Sequence, residues 1–470
     1  MHGETQSSAP CGKVKDRKTT LPNIGSTVCK IVVNIILDRL RPWYEVQLSE
    51  EQNGFRKDRG TTDGIYSIKR VQQIAHRKKQ PLYLLFIDLT AAFDHIPRKW
   101  LFDSIKLRFT ENNPPQLLNI LEKLYENTSL TFEGETFQTT SGVLQGGPES
   151  SFLFNLFIDF VMRVFIEKSE GINFFDHKYQ INPFSFTREE KYILRRHHTD
   201  LNGSSDFAWC GYADDLVLFL VNLVSLQDTA NLLDEVFQNF GLTINKSKTE
   251  TMILNHDILG VDEYPKSIVS INDTPLNNVP KFKYLGCYID YLDPNTGDAE
   301  INHRIQMASV KFSQMSNLLQ NFHINLKTRV KFLNSFIRSR LTYSCQNWNI
   351  NQKQFDRIDT AYRTFLRRMV RNGMKHVNEK ENDFRMVISN ARLLEICGTK
   401  DVSLFIKSQQ SKYIAHVIRM CIDRNVKRLT FNDDKYTRKG RPVKSLLECV
   451  MVNENVSVDG FCNLALQRKK

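Results

Sequence analysis

Two adjacent carboxylates, Asp214 and Asp215, stand in the stretch "GYADDLVLF" between an aromatic residue and a run of large apolar side chains. Asp is a common turn residue, and "SDFAWCGY" before the pair and "LVLFLV" after it both read as strands, which makes a hairpin with the acids at its tip. The other reading is a divalent cation, whose binding turns the repulsion of two like charges into affinity. A third acid bears on the choice. "PLYLLFIDL", residues 81 to 89, is a short continuous apolar run of the kind found in a central strand buried on both faces, and Asp88 lies near its end. If the two strands are neighbours, Asp88, Asp214 and Asp215 share one sheet edge. Three carboxylates there can hold two Mg²⁺ ions, which activate a hydroxyl nucleophile and stabilise a leaving pyrophosphate in in-line phosphoryl transfer.

The elements that must position these acids follow from pattern. "IVVNIILDRLRPWY" reads as a mostly buried helix ended near Pro42, and the Gly-punctuated "SEEQNGFRKDRGTTDG" as a polar loop. A helix from about Ile65 to Arg77 precedes the strand at 81 to 89. Leu101, Ile105 and Phe109 share a helical face behind Pro97, a good first-turn residue. "SLTFEGETFQTT" reads as a hairpin, and a long helix carrying Leu153, Leu156, Phe157, Phe160 and Val164 starts near Pro148. The acid-tipped hairpin comes next, then a helix with Asp228 as its expected N-cap and Gly241 just past its end, then the strand "TETMILN". This order suits an α+β ferredoxin-like core: an antiparallel sheet with helices on one face. From about residue 300 the chain turns to amphipathic, basic helices, with a boundary expected around "YLDPNTGD".

Composition narrows the partners. The 470 residues carry a net charge of +12 and a sequence pI near 9.1, which favours a polyanion. The nine cysteines are scattered without CxxC or knuckle spacing and read as reduced intracellular thiols. The opening residues are too polar for a secretory signal and the apolar runs too short for a membrane helix, so the expectation is an intracellular protein of nucleus or cytoplasm with no membrane partner.

"LLFIDLTAAFDHIPRKWL" (motif A), "SGVLQGGPESSFLFNLFID" (motif B), "YADDLVLF" (motif C), "GLTINKSKTE" (motif D) and "FKYLGCYID" (motif E), in that order, resemble the palm of a reverse transcriptase of the non-LTR retrotransposon, LINE-type group. "LSEEQNGFRKDRGTTDGI" resembles the fingers motif of that group, and the helical stretch from Ile301 its thumb; the resemblance covers roughly residues 20 to 372. It implies a right-hand polymerase: a poorly defined segment 1–29, fingers 30–80, palm 81–295 with an insertion near 169–206 expected as a surface loop, a helical thumb 296–375, and a mostly helical region 376–470 of unknown role. The implied activity is RNA-directed DNA polymerisation, adding dNTPs to a primer 3′-OH on an RNA template. The implied cofactor is Mg²⁺, two ions, with Mn²⁺ as an alternative. The implied partners are an RNA template, a DNA primer or RNA–DNA heteroduplex, and dNTPs.

Carried over position by position, the resemblance makes Asp88, Asp214 and Asp215 catalytic metal ligands and places Phe93 near the sugar of the incoming nucleotide. Gln145 and Gly146 would shape the nascent base-pair pocket and template track. Lys248 would lie near the phosphates, Arg56 and Arg59 would meet the triphosphate or template backbone, and Tyr212 would line the primer side. Ordinary roles stand beside these: Phe93 as core, Lys248 as a solvated turn lysine, Arg56 and Arg59 as surface charges, Asp94 as a helix-start acid, His197 and His198 as a solvated face. The family's usual Arg in the first fingers segment is not evident in "LPNIGS", and Gly147 stands where many relatives carry Asp. No endonuclease domain is read before the fingers and no zinc knuckle near the C-terminus, so a piece of a larger element is expected. The competing function is a reverse-transcriptase-derived nucleic-acid-binding protein that has lost turnover; a two-metal nuclease is a weaker third.

Overall fold

A computed structural model describes residues 27–107, 115–126, 128–132, 135–144, 146–180, 202–255, 264–293, 295–371, 388–431 and 445–467. Its contacts divide into two compact units, Met1–Val46 with Phe93–Phe157, and Gln47–Ala92 with Ile158–Lys470.

The first unit contains the helix Thr27–Glu45, whose buried face is Val33, Ile36, Leu37, Leu40 and Tyr44. This helix runs through Pro42 to Glu45, beyond the stop expected from the proline. Only its last turn follows Pro42, and there buried Tyr44 packs edge-on against Phe152 at 5.1 Å, which holds the turn despite the missing backbone donor. Arg98, directly after Pro97, starts the helix Arg98–Leu107, which buries Leu101 and Ile105; Phe109 lies outside the described residues. Its guanidinium donates to the carbonyls of Tyr125, Thr139 and Gly142, tying the hairpin Ser129–Phe132 and Glu135–Gln138 to the helices before it.

The second unit is organised by a five-stranded sheet in the order Asn277–Asn278, Glu250–Leu254, Leu82–Ile87, Asp215–Leu220, Trp209–Tyr212. The edge strand Asn277–Asn278 runs parallel to its neighbour; the other pairings are antiparallel. Leu82–Ile87 sits at the centre with all six residues buried, which is why its sequence is apolar without alternation. Alternate residues Leu82, Leu84 and Phe86 join Val217, Phe219, Met252 and Leu254 in one cluster with Ile65, Ile68, Val71 and Ile74 of the helix Thr61–Lys78. The hairpin Lys281–Tyr284 and Cys287–Asp290 closes the same cluster through Tyr284, Cys287 and Ile289, with Phe282 stacked on Phe86 at 3.9 Å. This is an α+β arrangement, as the pattern predicts.

Helix Leu223–Asn239 packs against the two central strands. It is capped by Asn222, whose side chain accepts from Ser225 N at 2.7 Å, instead of by Asp228. The apolar residues between them are helical, so the cap falls one and a half turns earlier than the acid suggested. The stretch expected as a surface loop carries paired strands at its ends, Phe175–Gln180 antiparallel to Asn202–Phe207, with buried Phe175 opposite buried Phe207. His197 and His198 lie outside the described residues. The later helices form a separate apolar cluster that includes Ile301, Phe312, Leu333, Trp348, Tyr362 and Leu366.

Candidate active site

Strand pairing brings the three acids to one place. Ile87 pairs with Leu216 across the two central strands, so Asp88 and Asp215 are the next residues of each strand at the same sheet edge. Tyr212 pairs with Asp215, which leaves Ala213 and Asp214 as the two residues of a tight turn. Ala213 adopts φ 58, a left-handed conformation that its side chain disfavours.

The backbone of Asp88 is held from both sides by motif D. Its N–H donates to the buried Thr249 hydroxyl at 3.2 Å, and its carbonyl accepts from Asn245 N at 2.8 Å. The loop that carries Lys248 is thereby anchored beside the acid, and Lys248 Nζ lies 3.8 Å from Asp88 Oδ2. Removal from water raises the carboxyl of Asp214 above the ordinary Asp range, with the charge of Asp88 adding to the rise. Desolvation, then the charges of Asp214 and Asp88, push Asp215 up to about 6. The charge of Asp88 thus acts on both acids of the turn. Among the described residues no group of three or more His, Cys, Asp or Glu is placed to hold a metal ion. Asp215 is exposed, and Asp88 and Asp214 are half-buried.

The fingers loop is placed differently from the expectation of free, phosphate-facing cations. Arg56 is buried and its Nη1 donates to the carbonyls of Ser49 at 2.5 Å and Gln52 at 2.9 Å. Arg59 donates to the Glu50 carbonyl at 2.9 Å and pairs with its carboxylate at 2.6 Å, its side chain only 5% exposed. Both guanidiniums are engaged in shaping the loop. That loop lies along the acid hairpin: Asn53 N donates to Gly211 O at 2.8 Å, Gly211 N to Glu51 O at 2.9 Å, and Phe55 lies 6.0 Å from the ring of half-buried Tyr212.

Sequence reasoning missed Gln52, Glu51 and Thr249 as site-supporting residues. Gln52 and Glu51 sit in a polar run that reads as a loop, and Thr249 at the head of the strand read in "TETMILN"; only their hydrogen-bond partners distinguish them.

Three assignments belong to the first unit or lie beyond description. Phe93 is half-buried and stacked on Phe154 at 4.0 Å, and its carbonyl accepts from Val143 N at 2.9 Å. Gly146 has φ 81 and open space where a Cβ would stand, so its glycine is set by backbone conformation. Gln145 lies outside the described residues. Asp94 falls in the first turn of the short helix Ala92–His95, as its helix-start reading expects.

In the second unit, a cavity of about 460 Å³ between the motif E hairpin and the following helices is lined by Lys283, His303, Arg304, Arg340 and Tyr343 among others. Arg304 there pairs with Glu300 at 2.5 Å and lies 4.7 Å from the Tyr343 ring. No helix among the described residues is long and apolar enough to cross a membrane.

The chain is similar to known proteins over part of its length. The chain is 23% identical over 257 residues to the retrovirus-related Pol polyprotein from the type-1 retrotransposable element R2 of Nasonia vitripennis, covering 53% of this chain and 22% of that protein. It is 24% identical over 251 residues to the Pol polyprotein of the type-2 element R2DM of Drosophila melanogaster, covering 50% of this chain and 20% of that one. The aligned part is thus about a fifth of these relatives' length. Apo telomerase from Candida tropicalis gives a TM-score of 0.38 at 12% identity, over 86% of this chain and 60% of that one. The model of the family described as reverse transcriptase (RNA-dependent DNA polymerase) matches residues 15–289, more than half of the chain, which contain the three acids, motifs A to D and motif E up to Ile289. The chain belongs to the reverse transcriptase family, and the R2 relatives agree with the non-LTR retrotransposon type that its motifs resemble.

Proposed function

We propose that this chain is the polymerase portion of a retrotransposon protein, adding dNTPs to a primer 3′-OH on an RNA template. The observation that carries this reading is the strand register that sets Asp88 beside Asp215, with Asp214 in the adjoining turn. Hard carboxylate oxygens that repel one another suit Mg²⁺, which commonly takes one or two carboxylates and completes its shell with substrate phosphates and water. Asp215 is exposed and Asp88 and Asp214 half-buried, which leaves water and substrate phosphates access to complete such a shell. Asp88, Asp214 and Asp215 would hold the ions, which when bound make the primer hydroxyl a better nucleophile and neutralise charge on the leaving pyrophosphate. Lys248, whose side chain is 68% exposed, is free to turn from Asp88 to an incoming phosphate.

Arg56 and Arg59 serve this function by rigidifying the loop that lies on the acid hairpin, a role different from direct phosphate contact. Phe93 as a sugar-facing residue, and Gln145 and Gly146 as parts of the nucleotide pocket, are proposed on their motifs alone. Tyr212, beside the acids, is proposed on the primer side. The basic cavity containing Lys283 and Arg340 is suited to nucleic-acid phosphates, and the charge of +12 supports the same class of partner.

The buried state of both fingers arginines gives some support to the competing reading, a binding protein without turnover. Primer extension by purified protein on poly(rA)/oligo(dT) with dTTP and Mg²⁺ separates the two. Template-dependent extension supports the polymerase; duplex binding by folded protein without extension supports the binding protein.

A further inference from the structure

The side chain of Gln52 is fully buried, and its amide is bonded at both ends to the backbone of Ala213. Oε1 accepts from Ala213 N at 3.0 Å, and Nε2 donates to Ala213 O at 3.2 Å. Oε1 also accepts from Gly54 N at 2.9 Å. These partners fix the amide's orientation, because a flipped side chain would set its NH₂ against two N–H donors.

Ala213 is where such a clamp has something to hold. It is the first residue of the two-residue turn that presents Asp214, and it carries φ 58 where glycine would sit without strain. A non-glycine residue persists in that region only when its surroundings over-determine it. The loop supplies those surroundings at close range. A Cβ on Gly54 would lie 2.5 Å from Ala213 N, so the loop backbone approaches the turn as nearly as glycine permits.

The far side of the loop is braced in turn. Asn425 Nδ2 donates to the half-buried Glu51 carboxyl at 2.9 Å, and Arg424 reaches Glu50 at 3.4 Å and Asp63 at 3.1 Å. Burial raises the Glu51 carboxyl above its ordinary range, which suits a side chain held by a neutral amide.

We propose that Gln52 is a positioning residue for the metal-binding turn: its two-ended amide clamp holds Ala213 in the left-handed conformation that aims Asp214 and Asp215 at their shared edge. This rests on the polymerase reading of the site. The clamp acts through the backbone and touches neither nucleotide nor primer.

The test compares wild type, Gln52→Met, Gln52→Ala, Ala213→Gly and the double variant Gln52→Met with Ala213→Gly. Methionine fills nearly the same volume without either hydrogen bond, which keeps a folded variant available if Gln52→Ala fails to fold. Amide hydrogen exchange of the peptide spanning Tyr212 to Leu216 should speed up in Gln52→Met by at least about tenfold at Ala213, since its N–H loses its acceptor. The kcat for primer extension should fall by roughly 10- to 100-fold with little change in KM for dTTP, because the reacting groups are misplaced while the binding surface remains. Glycine needs no clamp, so the double variant should recover most of the lost kcat.

Unchanged exchange at Ala213 in Gln52→Met overturns the proposal. So does loss of kcat that Ala213→Gly fails to rescue, which would make Gln52 a general packing residue. If the wild type does not polymerise at all, the polymerase reading fails on its own, and the exchange comparison still decides whether the clamp holds the turn.

Discussion

Lys248 Nζ lies 3.8 Å from Asp88 Oδ2, and the loop that carries the lysine is hydrogen-bonded through Asn245 to the Asp88 carbonyl. The lysine is well exposed, so the pair contributes little to folding, within about 0.5 kcal/mol. On the proposed polymerase function its value lies in placement: an exposed cation beside the acids that would hold the metal ions.

Replacing Lys248 with Gln should therefore leave the thermal midpoint unchanged and raise KM for dNTP by about tenfold, the cost of one exposed charged contact of roughly 1.4 kcal/mol. Steady-state extension at varied dTTP measures this. An unchanged KM would assign Lys248 to the solvated turn.

The acids set a pH dependence. Asp215 is raised to about 6 and Asp214 upward from the ordinary 3.8, so the folded state holds protons more tightly than the unfolded chain. The stability these groups contribute is full below the unfolded value and is lost as pH rises through about 6. Without metal, the thermal midpoint should carry a declining component between pH 4 and 6 that Asp215→Asn flattens. Extension should show the opposite trend and decline as pH falls below about 6, since protonated carboxyls lose their affinity for Mg²⁺. A metal-free midpoint whose pH profile is identical in wild type and Asp215→Asn would contradict the coupling.

Arg59→Ala should act through stability. It removes one of the two guanidiniums beside the Glu50 carboxylate, together with the donor to its carbonyl, and should cost about 1 to 3 kcal/mol, read as a lower denaturation midpoint. A specific rise in KM for dNTP with full stability would restore Arg59 to direct phosphate contact.

Phe93 distinguishes a sugar gate from core. If its ring faces the nucleotide sugar, Phe93→Val should raise rNTP incorporation relative to dNTP, because removing a steric clash changes discrimination more than shared chemistry. Its stacking on Phe154 gives the core reading a definite form: loss of up to about 3 kcal/mol with both activities falling together. Matched dNTP and rNTP incorporation, measured with the thermal midpoint, separates them.

Much of this fold is legible in the chain because its signals are local. The unbroken apolar run at 82 to 87 marks a strand buried on both faces, and the acids at the ends of two such runs announce a shared edge. What escaped is set by tertiary context. Arg56 and Arg59 look like surface charges or phosphate ligands until burial shows their partners to be loop carbonyls and Glu50. Gln52 looks like a solvated loop residue, and nothing in "SEEQNGFRKDRG" reveals that its amide reaches a turn 161 positions away. The helix cap moved from Asp228 to Asn222 because two good capping residues compete and only packing chooses between them.

On the proposed function Asp214 acts through metal and not through nucleic-acid binding. Asp214→Asn should lower Mg²⁺-dependent extension on poly(rA)/oligo(dT) by on the order of 10²- to 10³-fold or more, with affinity for the duplex within about twofold of wild type across a salt series. Extension by Asp214→Asn at the wild-type rate, with the protein folded and bound to the duplex, would contradict the account.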